Sequence, residues 1–217
     1  MATGYHPPVE EYLSAILELG ADGTAVISAR LCEHLSRSAP TVKEMIDRLV
    51  DDGYVMRNGR VLELTPSGAT IAEQVVRRHR LAERLLHDVI GLEWHKVHAE
   101  AGRWEHVISD DVEDKLVELL GDPATCPHGN PIPGSQAAVI EPTATLMDSM
   151  PGSTVEIVRI AESIEHDDAM LTLLGQWGIT PGASVACGSR GTDGMDVVGP
   201  KGEVTLPERC ARGVLVR

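Results

Sequence analysis

The 217-residue sequence predicts a multidomain, mainly α-helical protein with an N-terminal winged helix-turn-helix and a small β-rich domain at its C-terminus. Amphipathic helical periodicity over the first 120 residues, an Asn-Gly hairpin signal, and short β-prone runs after residue 152 predict this class. We divide the chain into a winged helix-turn-helix at 1–72, a helical domain at 73–135, a linker at 136–151 and a β-domain at 152–217.

The first 65 residues predict three helices and a hairpin. Apolar residues from Val9 to Leu19 share one helical face, and a second short helix is expected over Ser28–Leu35. A third helix begins after Ser38, a good N-cap, and ends at Gly53. Asn58-Gly59 between two β-prone runs is the strongest short-range hairpin signal. This order of elements is that of a winged helix-turn-helix.

After the hairpin the predicted structure is first helical, then irregular, and then β-rich. Two long amphipathic helices are expected, from about Pro66 to Ile90 and from about Trp94 to Leu120, both rich in His and acidic residues. Residues 121–152 contain many Pro and Gly residues without periodicity, which indicates a loop and a linker. The β-prone runs that follow, separated by Gly and Pro, predict a small β-barrel.

Composition narrows the class of protein. No run of 18 apolar residues occurs and the N-terminus does not resemble a signal peptide, so we expect a soluble, cytoplasmic protein without a membrane partner. The four cysteines share no C-x-x-C spacing, which argues against a disulfide framework or a zinc ribbon.

The charge distribution singles out one segment. The net charge is −14, which disfavours general nucleic-acid affinity, yet residues 28–84 carry 10 Lys and Arg against 8 Asp and Glu. Basic charge is therefore concentrated around the predicted winged helix, and we expect double-stranded DNA as its partner.

The helix after Ser38 is the predicted recognition helix, because the second helix of such a pair enters the major groove. The residues expected to face bases are Ser38, Thr41, Lys43 and Glu44. The residues expected to contact phosphates are Arg37 and the wing residues Arg57 and Arg60. The alternative is that this domain mediates protein contacts and that its arginines are simply solvated.

Two helical segments are dense in metal-ligand residue types. His79 and Glu83 are four apart and share a helix face, where they could hold one ion together. His98, Glu105 and His106 fall within about two turns of each other. Such pairs are more often surface ion pairs, but five imidazoles and carboxylates in adjacent helices favour a metal site.

The sequence here resembles the diphtheria toxin repressor family of iron- and manganese-responsive regulators. The likeness rests on HRLAERLL at 79–86, GLEWHKVHAEAGRWEHVISDDVE at 91–113 and GNPIPG at 129–134, together with SAPTVKEMIDRL and LTPSG in the winged helix. It covers about the first 135 residues well and a C-terminal SH3-like domain more weakly. It implies a homodimer with two metal sites per subunit, in which metal promotes binding to a palindromic operator.

The resemblance also implies ligands. The ancillary site would use His79, Glu83 and His98, and the primary site would use Glu11, Glu105, His106 and position 102. Iron-responsive members have methionine and cysteine where this chain has Glu11 and Gly102, whereas manganese-responsive members have carboxylates at both positions. Gly102 offers only its backbone carbonyl.

A second version of the ancillary site is also present in part. Cys126 and His128 resemble a Cys-x-His pair that manganese-responsive members combine with the equivalent of Glu83. The C-terminal domain would donate one further ligand, for which His166 or Asp167 in EHDD is the candidate. Because the primary set contains no sulfur, we expect Mn²⁺ there, with Fe²⁺ as the alternative.

Two other functions compete with a metal-dependent repressor that controls metal homeostasis. A metallohydrolase is disfavoured because the chain lacks H-E-x-x-H and a nucleophile elbow, so we expect no enzyme. A winged-helix regulator whose metal site is degenerate, because position 102 is glycine, remains the alternative.

Overall fold

The structure, a computed structural model, describes residues 7–23 and 25–217. Its N-terminal unit contains three helices followed by an antiparallel hairpin, in the predicted order. The elements are α1 (Pro7–Ala21), α2 (Ser28–His34), α3 (Ala39–Asp51), β1 (Val55–Asn58) and β2 (Val61–Leu64).

Local sequence explains where α3 and the hairpin lie. The hydroxyl of Ser38 accepts a hydrogen bond from the Thr41 backbone N–H, which caps α3. One face of α3 is buried in the core of the unit through Val42, Ile46 and Leu49. Gly59 has φ +63° in the hairpin turn, a conformation that strongly favours glycine.

The helical unit follows directly. It comprises α4 (Pro66–Arg84), a π-helical turn (Leu85–Ile90), a 3₁₀ turn (Trp94–Lys96), α5 (Val97–Trp104) and α6 (Asp110–Leu120). The single helix predicted from Trp94 to Leu120 is wrong, because the chain turns between Trp104 and Asp110. The physical reason is Ser109, whose hydroxyl caps α6 ahead of an acidic first turn.

The C-terminal unit combines an antiparallel sheet with short helices. Its six strands are ordered β3-β8-β4-β5-β6-β7. The strands are β3 (Ala144–Thr145), β4 (Thr154–Ile160), β5 (Ser184–Arg190), β6 (Met195–Gly199), β7 (Gly202–Leu206) and β8 (Val214–Val216), and a 3₁₀ turn (Leu146–Asp148) follows β3. The helices are α7 (Glu162–Glu165), α8 (Asp168–Trp177) and α9 (Glu208–Gly213).

The predicted closed barrel is not observed. In the described part of the chain the edge strands β3 and β7 do not pair, so the sheet stays open. Leu171 and Leu174 of α8 share a buried core with the sheet, which covers apolar strand residues without closure. Part of the segment predicted as linker belongs to this unit, because β3 pairs with β8.

The three units meet around α4. Arg80 on α4 forms a buried ion pair with Glu162 of α7, with Nη2 and Oε1 2.5 Å apart. The Asp22 carboxylate accepts the backbone N–H groups of Glu162 and Ser163. Trp94 packs against the C-terminal core. No helix within residues 7–23 and 25–217 is long and apolar enough to cross a membrane.

Candidate metal centre

Helix α4 places His79 and Glu83 on one buried face, as their four-residue spacing predicts. The His79 Nε2 atom lies 3.2 Å from Glu83 Oε1, and its Nδ1 atom lies 2.5 Å from Glu105 Oε2. Glu83 has a fully buried side chain, so its charge depends on neighbouring groups rather than on water. His79 therefore lies between two groups of potential ligands.

The first group, which we call the primary cluster, consists of Glu10, Glu105 and His106. His106 Nδ1 lies 2.8 Å from Glu10 Oε2, and His106 Nε2 lies 3.2 Å from Glu105 Oε1. Glu10 is on α1, whereas Glu105 and His106 follow α5. The cluster thus joins the N-terminal unit to the helical unit.

The two adjacent glutamates of α1 face different partners. Glu11, the residue predicted as a ligand, lies 3.4 Å from Nη2 of Arg37, and both side chains are exposed. Glu10, which was not predicted as a ligand, contacts His106 instead. The repeated Glu-Glu at 10–11 was the available signal, since consecutive helical residues point about 100° apart.

Gly102 lies near the end of α5 and is exposed. Nothing lies within 4 Å of the position that a side-chain Cβ would occupy, so there is room for a larger residue. Outside α5 itself, its carbonyl accepts no hydrogen bond within the described part of the chain, so that oxygen is free to act as a ligand.

The second group, which we call the buried cluster, consists of Glu83, His98, Cys126, His128 and Glu165. Glu83 Oε1 lies 3.3 Å from His98 Nδ1 and 3.2 Å from His128 Nδ1. Glu165 Oε2 lies 3.2 Å from each of the same two nitrogens. Potential ligand atoms of Glu83, Cys126, His128 and Glu165 all lie within 4.8 Å of one another.

The loop that carries Cys126 and His128 is fixed by backbone contacts. Cys126 and Asn130 are joined by a backbone hydrogen bond, and the His128 carbonyl accepts the N–H of Ile160 on β4. Gly129 has φ +90°, and a Cβ there would lie 2.2 Å from the Val158 carbonyl oxygen. Asn130 donates its side-chain N–H to Glu165 and so orients that carboxylate.

The buried cluster fits a divalent metal ion. Glu83 Oε2 and His128 Nδ1 are buried and form no hydrogen bond of acceptable geometry within the described residues. His128 Nε2 lies 3.2 Å from the Trp94 carbonyl, an arrangement in which that nitrogen donates and Nδ1 remains available as a ligand. Imidazole, thiolate and carboxylate are together typical donors to transition metals.

Interactions within the buried cluster shift the pKa values of its residues. Burial lowers the pKa of His98, but hydrogen bonds to Glu165 and Glu83 outweigh it and raise the pKa to about 9. Burial raises the pKa of the Glu165 carboxyl, but the charge of His128 and hydrogen bonds from His128 and His98 outweigh it, and the pKa falls to about 2. Burial and the nearby carboxylates raise the pKa of the Cys126 thiol to about 12. Metal binding by this thiol would release its proton.

The C-terminal residues proposed as ligands lie beside this cluster rather than within it. Asp167 caps α8 and lies 3.6 Å from Arg209. The His166 ring is tilted against the His34 ring and meets the His98 ring edge-on. Glu165 supplies the carboxylate that faces the cluster. The acidic run around position 165 held the signal, but one residue of register could not be fixed from it.

The predicted DNA-contacting residues lie together on α3 and the hairpin. Lys43 and Arg57 both pair with Asp47 of α3, each 2.5 Å from one of its carboxylate oxygens. Ser38 is used as the cap of α3. The side chains of Thr41, Glu44 and Arg60 are exposed.

Two models of known protein families match this chain. Residues 6–60 match the model of the iron-dependent repressor N-terminal DNA-binding domain. Residues 65–134 match the model of the iron-dependent repressor metal-binding and dimerisation domain. The chain belongs to the iron-dependent repressor family. It is accordingly a metal-dependent transcriptional repressor of the iron- and manganese-responsive class.

Similarity to individual family members extends over nearly the whole chain. The iron-dependent repressor IdeR of Mycobacterium tuberculosis is 42% identical over 219 aligned residues, covering 95% of both chains. The diphtheria toxin repressor of Corynebacterium diphtheriae is 42% identical, with coverage of 91% of this chain and 87% of that one.

Solved structures of the family agree in fold. A manganese-dependent transcriptional repressor in complex with manganese superposes with a TM-score of 0.83 at 31% identity, covering 96% of this chain and 98% of that one. The T. acidophilum IdeR superposes with a TM-score of 0.76 at 30% identity, covering 95% and 96%. The repressor fold of this chain therefore includes the C-terminal sheet.

Proposed function

We propose that this repressor senses Mn²⁺ at the primary cluster, holds a second metal ion at the buried cluster, and binds a palindromic operator as a homodimer. The observation that carries the proposal is the difference in donor atoms between the two clusters. The primary cluster offers two carboxylates and one imidazole, and in this proposal the Gly102 carbonyl and Glu11 add further oxygen donors. The buried cluster adds the Cys126 thiol.

Ligand chemistry supports Mn²⁺ at the primary cluster. Oxygen donors with a single imidazole suit a hard ion such as Mn²⁺, whereas a sulfur ligand would favour softer ions. The iron-dependent relatives leave Fe²⁺ as the alternative at this cluster. A bound divalent cation would supply the positive charge that lets several carboxylates lie together.

The route from the primary cluster to DNA runs through α1. Leu13 and Ile16 of α1 are buried in the core of the N-terminal unit, which also contains α3. A ligand on α1 therefore moves together with the recognition helix. Glu11 adds a direct connection, because it pairs with Arg37 just before α3. Recruitment of Glu11 as a ligand would free the Arg37 guanidinium for phosphate.

The helical unit supplies a surface for dimerisation. Five large apolar side chains are exposed on it, an arrangement that marks protein interfaces when such residues adjoin. They are Val89, Ile90, Val107, Val112 and Leu119. A dimer through this unit would present two recognition helices to successive major grooves, which requires a palindromic operator.

DNA contacts are proposed for Arg37, Ser38, Thr41, Lys43, Glu44, Arg57 and Arg60. Lys43 and Arg57 would exchange Asp47 for DNA, since exposed ion pairs of this type contribute only about 0–1 kcal/mol. Arg60 is exposed at the hairpin tip, where it is placed for a phosphate.

The decisive experiment measures operator affinity against metal. A duplex is first selected from a random library with Mn²⁺-loaded protein, and its affinity is then measured anaerobically with Mn²⁺, Fe²⁺ or excess chelator. We expect tight binding with Mn²⁺, weaker activation by Fe²⁺ and loss of specific binding in chelator. Equal affinity in chelator and in Mn²⁺ would refute the sensor and favour a metal-independent repressor.

A further inference from the structure

A third group of ligand-type side chains lies outside the primary and buried clusters. It consists of Glu18 on α1, His34 on α2 and His166 after α7, and one potential ligand atom from each lies within 4.8 Å of the other two. His34 Nε2 lies 3.4 Å from Glu18 Oε2, and the rings of His34 and His166 are 4.1 Å apart. Residues far apart in sequence thus converge on one point.

Within the described residues the Glu18 carboxylate forms no ion pair with a Lys or Arg side chain. Its side chain is 11% exposed, and its one ion-pair partner within the described residues is His34, which is itself 7% exposed. A buried carboxylate is costly unless a positive charge compensates it. An imidazole compensates only when it is protonated, whereas a divalent cation would compensate at any pH that leaves the imidazoles neutral.

The orientation of His166 points to a ligand as well. Its Nδ1 atom lies 3.0 Å from the Glu162 carbonyl oxygen, to which that nitrogen donates. Its Nε2 atom therefore keeps a lone pair. Histidine ligands of metals almost always donate their second ring nitrogen to an acceptor of this kind, which fixes the ring.

His34 and His166 line an open cleft of about 1180 Å³ between the N-terminal and C-terminal units, and the buried Glu18 carboxylate lies 3.4 Å from His34 Nε2. Four arginines also line it. Arg212 is paired with Glu208 and Arg209 with Asp167, whereas Arg30 donates to the Ala25 carbonyl and Arg159 Nε forms no hydrogen bond within the described residues. Water or a small anion can reach the two imidazoles from this cleft and complete a coordination shell.

We propose that Glu18, His34 and His166 form a third metal site, which takes a borderline divalent ion such as Zn²⁺ or Co²⁺ and keeps one position open to the cleft. Two imidazoles and one carboxylate with an open position are a common zinc ligand set. Zinc ligands at about 2.1 Å are roughly 3.4 Å apart from each other, so small side-chain rotations suffice to close the site.

A metal at this site would connect two units that otherwise meet through few polar contacts. Glu18 and His34 belong to the N-terminal unit, and His34 lies on the first helix of the helix-turn-helix pair. His166 belongs to the C-terminal unit. The site would fix the orientation of the DNA-binding unit relative to the C-terminal sheet, independently of the primary cluster.

The test counts metal ions per full-length chain. Metal-free protein is titrated anaerobically with Co²⁺, following the visible d–d absorption, and Zn²⁺ content is measured after equilibrium dialysis. We expect three equivalents for the wild type and two for His34→Ala and for Glu18→Gln. His87→Ala removes a histidine outside all three clusters and should keep three equivalents.

Thermal unfolding of the same variants separates a lost site from a damaged fold. Without metal, Glu18→Gln should unfold close to the wild type, because its shape is conserved. With excess Zn²⁺, its melting temperature should rise less than that of the wild type. A wild type that binds only two equivalents, or a third equivalent that survives both substitutions, would overturn the proposal.

Discussion

The primary and buried clusters use similar residues in different surroundings. The side chains of Glu10, Glu105 and His106 are 26%, 14% and 15% exposed, and the cluster spans two structural units. Those of Glu83, His128 and Glu165 are at most 2% exposed, and backbone contacts of one loop hold two of the ligands. The two clusters contain similar residue types, but they differ in burial and in the backbone contacts that hold them.

This difference suggests that the buried cluster has a structural role and the primary cluster a sensing role. A rigid, dehydrated ligand set binds its ion with little rearrangement, so the ion becomes part of the fold. A partly exposed set that spans two units would tie those units together when it binds an ion, which is what a sensor requires. Four substitutions or conditions test this contrast.

Glu83→Gln should affect stability most. This substitution removes the charge that faces His79, His98 and His128 and leaves those imidazoles partly uncompensated in a buried site. We expect the metal-free protein to lose about 3–5 kcal/mol of unfolding free energy in urea denaturation. Glu105→Gln in the more exposed cluster is the matched control. An equal loss in both variants would remove the distinction between the clusters.

His106→Ala should affect DNA binding most. Loss of a primary ligand should reduce Mn²⁺-dependent operator affinity by roughly 5- to 150-fold, the usual range of allosteric coupling. His98→Ala should cost less affinity but more stability, because His98 belongs to the buried cluster. Fluorescence anisotropy with labelled operator measures the first effect and urea denaturation measures the second. A reversed ranking would exchange the roles of the two sites.

The stability of the metal-free protein should depend on pH through the buried cluster. The pKa of His98 is raised to about 9, so its stabilising contribution is complete below pH 6.5 and is lost as pH rises toward 9. The pKa of Glu165 is lowered to about 2, so its contribution is complete above pH 4.5 and is lost toward pH 2. Stability should therefore be greatest between these limits.

Urea denaturation in chelator at pH 5.5 and pH 9 checks this dependence. We expect a loss of roughly 1–3 kcal/mol at the higher pH. Glu165→Gln should flatten the change, because it removes one of the two carboxylates that raise the pKa of His98. The same pH profile in both proteins would contradict the assignment to this cluster.

Gly102→Glu should have the smallest effect, because it adds one carboxylate to a site that already functions in the proposal. The free space around Gly102 admits a side chain, so Mn²⁺ should bind several-fold more tightly. Gly102→Cys should instead shift preference toward Fe²⁺ and softer ions. Calorimetry in a His128→Ala background isolates the primary cluster. No change in either variant would mean that residue 102 does not face the metal.

Periodicity predicted the helices of the N-terminal half because their apolar residues recur at helical spacing over several turns. It failed between Trp104 and Asp110, where Val107 and Ile108 continue an apolar pattern through a non-helical turn. Ser109 followed by acidic residues was a visible cap signal. The Ser109 cap starts a new helix at Asp110, although the apolar periodicity alone would continue the preceding one.

The candidate ligands show a different limit. His79, Glu83 and His98 were predicted from residue type and spacing within single helices, and His128 from the family resemblance. The structure places these four in two overlapping groups that share Glu83. Glu10 was missed in favour of Glu11, and Glu165 in favour of His166 or Asp167. Each of these lies on a separate unit, and its orientation depends on tertiary packing that the sequence does not specify to within one residue.

The position of His79 between the primary and buried clusters affects how the protein responds to metal concentration. Its two ring nitrogens face different clusters, Nδ1 toward Glu105 and Nε2 toward Glu83. If Nε2 gives its lone pair to an ion near Glu83, the ring proton must sit on Nδ1, where it is donated to Glu105. One tautomer therefore serves both neighbours, so occupancy on one side of the ring alters the basicity of a ligand on the other. If both proposed ions bind, such a shared proton would couple their affinities, and the dose–response curve would depart from that of two independent sites.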